Sequence, residues 1–358
     1  MKERVAVKIG SNVLTRKDGT LDVTRMSSLV DQIATLHGKG FEIIMISSGA
    51  VASGKSELKN VNRLDTISAR QLYSAVGQVK LINRYYDFFR NYNIVCGQIL
   101  ATKDDFSTRT HYLNQRHCMQ ILLDNRVIPI VNENDTVSVN ELMFTDNDEL
   151  SGLVAAMMSC KRLIILSNID GIYDGNPNDK ESKVLRTIGV DDDIEQYIQS
   201  SKSSAGRGGM QTKYNIAHKV AEEGIEVIIA NGKTNNILLD LLTEEDKDTV
   251  CTRFVPSEKE ISSIKKWLAH SEGFSKGEVH INEALRKMMG KNSAISILPI
   301  GVTKIVGNFE MDDIVKIIDD RGKQIGLGRT NYSSMEASKL IGENNKKPII
   351  HYDYLVIV

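Results

Sequence analysis

Cysteine is scarce in this chain and scattered along it. Cys96, Cys118, Cys160 and Cys251 are the only four among 358 residues, and no C-x-x-C pair occurs. That excludes a zinc ribbon and a disulfide framework and predicts reduced, mainly structural thiols. No apolar run approaches the ~18 residues of a membrane-spanning helix. The opening stretch, MKERVAVKIGSN, holds no apolar segment of signal-peptide length. A cytoplasmic protein without a membrane partner is expected. An excess of one charge is missing too: 45 Lys and Arg stand against 46 Asp and Glu, for a net charge of −1. Such a balance argues against whole-surface binding to nucleic acid. There is neither an internal repeat nor a low-complexity tract. The seven histidines show no ligand spacing, and no residue is assigned to a metal.

What is present is globular. Apolar residues make up 41% of the chain, and its length suits two domains. Through residue 250, short β-branched runs alternate with helical patterns. Strands are predicted at 4–9, 41–46, 94–100, 127–131, 163–166 and 226–230. Helices are predicted at 23–37, 67–89, 111–124, 150–158 and 210–222. Nearly uninterrupted apolar strands between helices imply an α/β fold, a mostly parallel sheet sandwiched between helices. The pattern changes after about Thr249. Residues 251–275, with the only tryptophan, Trp267, form the expected linker. Residues 276–358 are rich in strands and turns and predict a small, mostly-β domain. Asp320-Arg321-Gly322-Lys323 is its expected hairpin turn.

Four segments could carry chemistry. Residues 132–152, NENDTVSVNELMFTDNDELSG, contain two acid–amide clusters, Asn132-Glu133-Asn134-Asp135 and Asp146-Asn147-Asp148. The first follows a predicted strand and the second precedes a predicted helix. Such ends are where α/β enzymes place substrate groups; the plainer alternative is a surface hairpin with helix caps. An Asp can hold an ammonium or orient lysines, whereas an Asn can donate to a carboxylate. Lys8 ends the first strand, ahead of Gly10 and Ser11. Ser48 follows the second strand. Arg207, Gly208 and Gly209 lead into Met210, Gln211, Thr212 and Lys213, a glycine-rich loop opening a helix whose free N–H groups suit phosphate oxygens. Gly49 to Ser56, GAVASGKS, also matches the P-loop pattern. A true P-loop runs straight into a packed helix, and the polar, weakly periodic residues after Ser56 predict none.

VAVKIGSNVLT, ISSGAVASG, NENDTV, DNDELS and GRGGMQTK, with QLYSAVGQ, RTHYLNQR and IDGIYDGNP between them, resemble the amino acid kinase family. The likeness is strongest to its glutamate-phosphorylating branch. SILPIGVTKIVGNF, IGLGRTNYSS and IHYDYLVIV resemble a PUA domain. The resemblance therefore spans nearly the whole chain. It implies an amino acid kinase domain at 1–250, a linker at 251–275 and a PUA-like barrel at 276–358. It also implies transfer of the γ-phosphoryl of ATP, with Mg²⁺, to the side-chain carboxylate of L-glutamate, the first step of proline synthesis from glutamate.

Carried over by residue, Lys8 and Lys213 would be the transition-state lysines, with Asp148 orienting them. Ser48, Asp135 and Asn147 would hold glutamate. By charge, Asp135 suits the α-ammonium, while Ser48 and Asn147 can donate to a carboxylate. Lys8, Gly10, Ser11, Ser167, Asn168 and the run Arg207, Gly208, Gly209, Met210, Gln211, Thr212 and Lys213 would bind ATP. Mg²⁺ would be held mainly by phosphates and water, and Asp146 reads as a helix start. Relatives often carry Thr-Asp in place of Ser167-Asn168, Thr in place of Arg207 and Gly in place of Thr145. Arg207 either adds a phosphate contact or is a plain loop residue. The resemblance further implies feedback inhibition by proline and a homo-oligomer, with handover of product to the next enzyme left open.

Two other readings compete: a family member acting on another carboxylate or carbamate, and an RNA-binding protein acting through its PUA domain. Lys287, Lys291, Lys304, Lys316, Arg321, Lys323 and Arg329 could form a basic face there, but Glu278, Glu283, Glu310, Asp312, Asp313, Asp319 and Asp320 interleave with them. That pattern favours a structural or regulatory role for the domain.

Overall fold

The computed structural model describes residues 2–357, apart from 59–61, 139–143, 145, 178, 180, 193, 195–208, 244–247, 259–261, 270 and 290–294. The chain divides into two compact units, Met1–Lys103 with Gln115–Glu260, and Asp104–Asn114 with Ile261–Val358. Up to residue 257, the described elements in chain order are β1 (Arg4–Ile9), α1 (Ser11–Leu14), α2 (Val23–Gly38), β2 (Glu42–Ser47), α3 (Ala50–Glu57), α4 (Thr66–Arg90), β3 (Cys96–Ala101), α5 (Arg109–Asp124), β4 (Ile128–Glu133), α6 (Asn147–Met157), β5 (Arg162–Ser167), β6 (Thr187–Ile188), α7 (Met210–Glu222), β7 (Glu226–Asn231), α8 (Ile237–Leu242) and β8 (Cys251–Phe254).

The strands of the first unit line up as β3-β4-β2-β1-β5-β7-β8-β6. From β3 to β7 every neighbouring pair is parallel, and only β8 runs against β7. Parallel strands put all their carboxyl ends on one edge, so the turns after β1, β2, β4 and β5 share that edge. Strand alternation then sorts the side chains. Val5, Val7 and Ile9 turn into the core shared with Met26, Leu29 and Ile33 of α2 and Leu81, Tyr85 and Phe89 of α4. Lys8 therefore turns to the opposite face, where α6 packs on β1. Each fully buried Val, Leu or Ile of that core contributes roughly 1.5–3 kcal/mol.

The helices end where their residues dictate. Asp22 caps α2 by accepting from Arg25 N at 3.1 Å. Gly40, at φ +96°, turns the chain out beyond it. Asp65 caps α4 through Ile67 N and Ser68 N.

The second unit contains α9 (Ser263–Ala269), β9 (Gly277–Ile281), α10 (Glu283–Met289), β10 (Val302–Gly307), β11 (Ile314–Ile318), β12 (Gln324–Thr330), α11 (Ser334–Leu340) and β13 (Ile350–Ile357). Its five strands order as β10-β9-β11-β12-β13, with β9 and β11 parallel and the other pairs antiparallel. Their core is separate, built on Val279, Ile281, Val315, Ile317, Phe309 and Ile350. The expected Asp320–Lys323 turn joins β11 to β12, with Gly322 at φ +81°. Asp319 ties it down by accepting from Arg321 N and Lys323 N.

The expected 251–275 linker is different in structure. Cys251–Phe254 is a strand of the first sheet, too short to show an alternating pattern. Trp267 on α9 is fully buried in the second unit, and its indole N–H donates to Phe106 O at 3.0 Å. Residues 104–114 therefore also belong to that unit.

Candidate active site

The chain leaves β1 through Gly10, whose N–H donates to Leu166 O at 3.1 Å. A Cβ on Gly10 would stand 3.1 Å from Leu166 O and 3.4 Å from Lys8 Nζ. The small residue keeps the lysine's surroundings open. The chain leaves β2 through Ser48, whose N–H donates to Ile9 O at 3.1 Å. Gly49, at φ +104°, then starts α3, a backbone angle that suits glycine.

Helix α6 brings its first turn to the same edge. Asp146 is its N-cap, with Oδ1 accepting from Asp148 N at 2.9 Å and Glu149 N at 3.1 Å. The reading of Asp146 as a helix-start residue matches this geometry. Asp148 then lies wholly buried. Its Oδ1 is 2.6 Å from Lys8 Nζ, and its Oδ2 accepts from Lys213 Nζ at 2.8 Å. Lys213 stands one turn inside α7, where its own N–H donates to the carbonyl of the capping Gly209.

One buried carboxylate thus separates two ammonium groups. Burial opposes ionisation of Asp148, but Lys8 and Lys213 outweigh it and hold the carboxyl down to about 2. The trio carries a net positive charge. Asp146 behaves oppositely: burial, then the neighbouring Asp148 charge, push its carboxyl up to about 6, against the pull of both lysines.

The amide network fixes a direction. The backbone N–H of Glu133 donates to Asn132 Oδ1 at 2.9 Å, which identifies that atom as oxygen. The Asn147 atom 2.9 Å from it must then be Nδ2, and Nδ2 also donates to Ser48 Oγ at 2.9 Å. Both donors of Asn147 are spent inside the protein. In this arrangement the hydroxyl of Ser48, which accepts from Asn147, is left to donate.

Asp135 is 6% exposed and already partnered. Its Oδ1 accepts from Arg70 Nε at 2.7 Å and its Oδ2 from Ser74 Oγ at 3.3 Å. Arg70 Nη2 also donates to Glu133 Oε2 at 2.8 Å. The sequence reading gave Arg70, Ser74 and Gln78 no role. Their spacing of four on a helix was the available signal.

Of the residues expected at the nucleotide, Ser167 ends β5 and Asn168 follows it, with Ser167 Oγ 3.5 Å from Asn168 Oδ1. Ser11 is exposed at the start of α1. Gly209 is the N-cap of α7 and, as glycine, brings no side chain to the first-turn N–H groups of Met210, Gln211 and Thr212. Arg207, Gly208 and Thr145 lie outside the described residues. Among the described residues no three His, Cys, Asp or Glu side chains gather as a metal cage would require.

The P-loop letters have another use. Gly54, Lys55 and Ser56 lie inside α3, not in a loop before a helix, and Lys55 is exposed. A Cβ on Gly54 would fall 1.8 Å from Tyr73 O, and one on Gly77 would fall 1.8 Å from Ala50 O. The glycines let α3 and α4 touch backbone to backbone.

A model of the amino acid kinase family matches residues 3–231, and a PUA domain model matches 277–352. The chain is 63% identical over 354 residues to glutamate 5-kinase of Bacteroides thetaiotaomicron, covering 99% of this chain and 98% of that one. It is 44% identical to glutamate 5-kinase of Chlorobaculum tepidum, covering 99% and 97%. A solved structure of carbamate kinase from Giardia lamblia bound to AMP-PNP shares the fold at a TM-score of 0.53 and 16% identity, covering 72% of this chain and 99% of that one.

Proposed function

We propose, from the premise that this chain belongs to the amino acid kinase family, that it is a glutamate 5-kinase. It transfers the γ-phosphoryl of ATP to the side-chain carboxylate of L-glutamate and so opens proline synthesis from glutamate. Near-full-length identity of 63% and 44% to two relatives bearing that name supports the substrate. The observation that carries the chemistry is the buried Lys8–Asp148–Lys213 trio.

The reaction joins two anions. A glutamate carboxylate oxygen attacks the γ-phosphorus, the bond to the bridging oxygen breaks, and its electrons leave on ADP. Negative charge spreads over the transferring oxygens, and fixed cations lower its energy most in a dry site. Lys8 and Lys213 supply those cations. Asp148 holds them in place, so little reorganisation is needed as the reaction proceeds. Ser48 donates its hydroxyl proton to a substrate carboxylate, and Asn147 acts by aiming that hydroxyl. Asp135 takes the α-ammonium.

Gly10, Ser11 and the α7 N-terminus beginning at Gly209 face phosphate oxygens, with Ser167 and Asn168 on the nucleotide. The donor set does not form a cage for Mg²⁺, since both Asp148 oxygens are taken by lysines. The ion would enter with the nucleotide, held by phosphate and water oxygens, and supply charge neutralisation there. Proline as a feedback inhibitor, a homo-oligomeric assembly and a cytoplasmic location belong to the same proposal.

Hydroxylamine trapping tests it. Glutamate, ATP and Mg²⁺ should yield γ-glutamyl hydroxamate. Turnover of aspartate, N-acetylglutamate, carbamate or UMP, with none of glutamate, would assign the chain to another branch of the family.

A further inference from the structure

Helix α4 carries Arg70, Ser74 and Gln78 four residues apart, which places them along one face. All three reach the end of β4. Arg70 binds Asp135 and Glu133, Ser74 binds Asp135, and Gln78 Oε1 accepts from Asn132 Nδ2 at 2.9 Å. We infer that this stripe is the positioning half of the amino-acid site, and that Arg70 is the residue on it that sets affinity for glutamate. The inference rests on the glutamate reading above.

The charge count is the reason. Glu133 and Asp135 are 4% and 6% exposed and stand within reach of one guanidinium. Two buried carboxylates without a cation between them repel each other. Arg70 offsets one charge and leaves the pair with a single net negative charge, which matches one ammonium. Glutamate brings two carboxylates along with that ammonium. A pair left at two negative charges would repel the substrate it must hold. Arginine suits the place because its planar fork reaches both acids in a fixed geometry.

The same stripe orients the carboxylate end of the site. Gln78 holds Asn132 with its amide oxygen turned toward Asn147, and Asn147 in turn fixes the Ser48 hydroxyl. Glu133 extends the network further, with Oε1 accepting from Phe144 N at 3.0 Å just before the α6 cap. Lys8 and Lys213 are bound to Asp148 rather than to this network. Arg70 therefore acts on substrate binding and not on phosphoryl transfer.

Steady-state kinetics of Arg70→Gln and Arg70→Lys beside the wild-type protein test this. Arg70→Gln should raise KM for glutamate at least about tenfold, while kcat and KM for ATP move less than about threefold. Arg70→Lys restores the charge without the fork and should recover part of that loss. An unchanged glutamate KM in Arg70→Gln overturns the inference. So does a parallel fall of kcat, ATP affinity and melting temperature that Arg70→Lys does not relieve. If Arg70→Gln does not fold, Arg70→Lys decides alone: a several-fold rise in glutamate KM at constant kcat supports the assignment, and an unchanged KM contradicts it. Absence of glutamate turnover by the wild-type protein would instead overturn the functional reading itself.

Discussion

Asp148 stays ionised in a place where a lone carboxylate would take up a proton, because two ammonium groups meet its two oxygens. Removing either lysine cancels the trio's net positive charge and takes away one of the two cations that the transferring group would meet. Lys8→Ala or Lys213→Ala should lower kcat by at least about two orders of magnitude, with circular dichroism showing the fold retained. Near-normal kcat in a folded variant would remove the role given to that lysine.

Asp146 gives a prediction of opposite sign. Its carboxyl is raised to about 6 from an ordinary 3.8. The folded state then binds the extra proton between those values, so this group's contribution to stability declines as pH rises from about 4 to about 6. Asn caps a helix as well as Asp and carries no charge. Asp146→Asn should therefore gain up to about 3 kcal/mol over wild type at pH 7 and nothing at pH 4, read from urea midpoints. The depressed Asp148 works the other way: its contribution is present above about 4 and fades as pH falls toward 2.

Lys8, Asp148, Lys213, Ser48 and Asn147 could be singled out in the sequence because each sits in a short motif beside a strand end or helix start, and the structure joins Lys8 and Lys213 to Asp148, and Ser48 to Asn147. Arg70, Ser74 and Gln78 were not. Polar residues four apart on a helix look the same whether they face water or a buried carboxylate, and their partners lie more than fifty positions away along the chain. The direction of the Asn147 amide was also hidden, since only the Glu133 N–H reveals it.

Among the elements, the long periodic helices and apolar strands of the first unit were legible to within a few residues, and α7 to its ends. Helix α3 was not, because its stability comes from a contact and not from its own periodicity. It carries Gly54 midway, and that glycine is there for its meeting with Gly77 of α4. Gly77→Ala should cost about 3 kcal/mol or more, since the new methyl would fall 1.8 Å from the Ala50 carbonyl oxygen. Denaturant unfolding measures this; a loss below about 1 kcal/mol would mean that the helices separate easily. By the same geometry Lys55→Ala should leave nucleotide turnover unchanged, and abolished turnover would restore the P-loop reading. Strands β6 and β8 were hidden for a different reason. They hold two and four residues, too few for a period-2 signal; β8 takes its alignment from β7, and β6 from β8.

For the whole molecule, composition narrowed the possibilities and topology then placed the chemistry. The change of pattern near Thr249 located the second unit approximately, but no local signal showed that residues 104–114 join it. That membership depends on Trp267, whose indole finds its acceptor at Phe106. No helix among the described residues is long and apolar enough to cross a membrane. The parallel order from β4 through β5 brings Ser48, Asn132, Lys8 and Ser167 to one edge although they are spread over residues 8–167. The one measurement that bears most directly on the proposed chemistry is ADP release with ATP and Mg²⁺ as L-glutamate is titrated, with aspartate in parallel. Saturable release that requires glutamate, and is absent with aspartate, is the predicted result. Release independent of glutamate, or release driven by aspartate and not by glutamate, would contradict it.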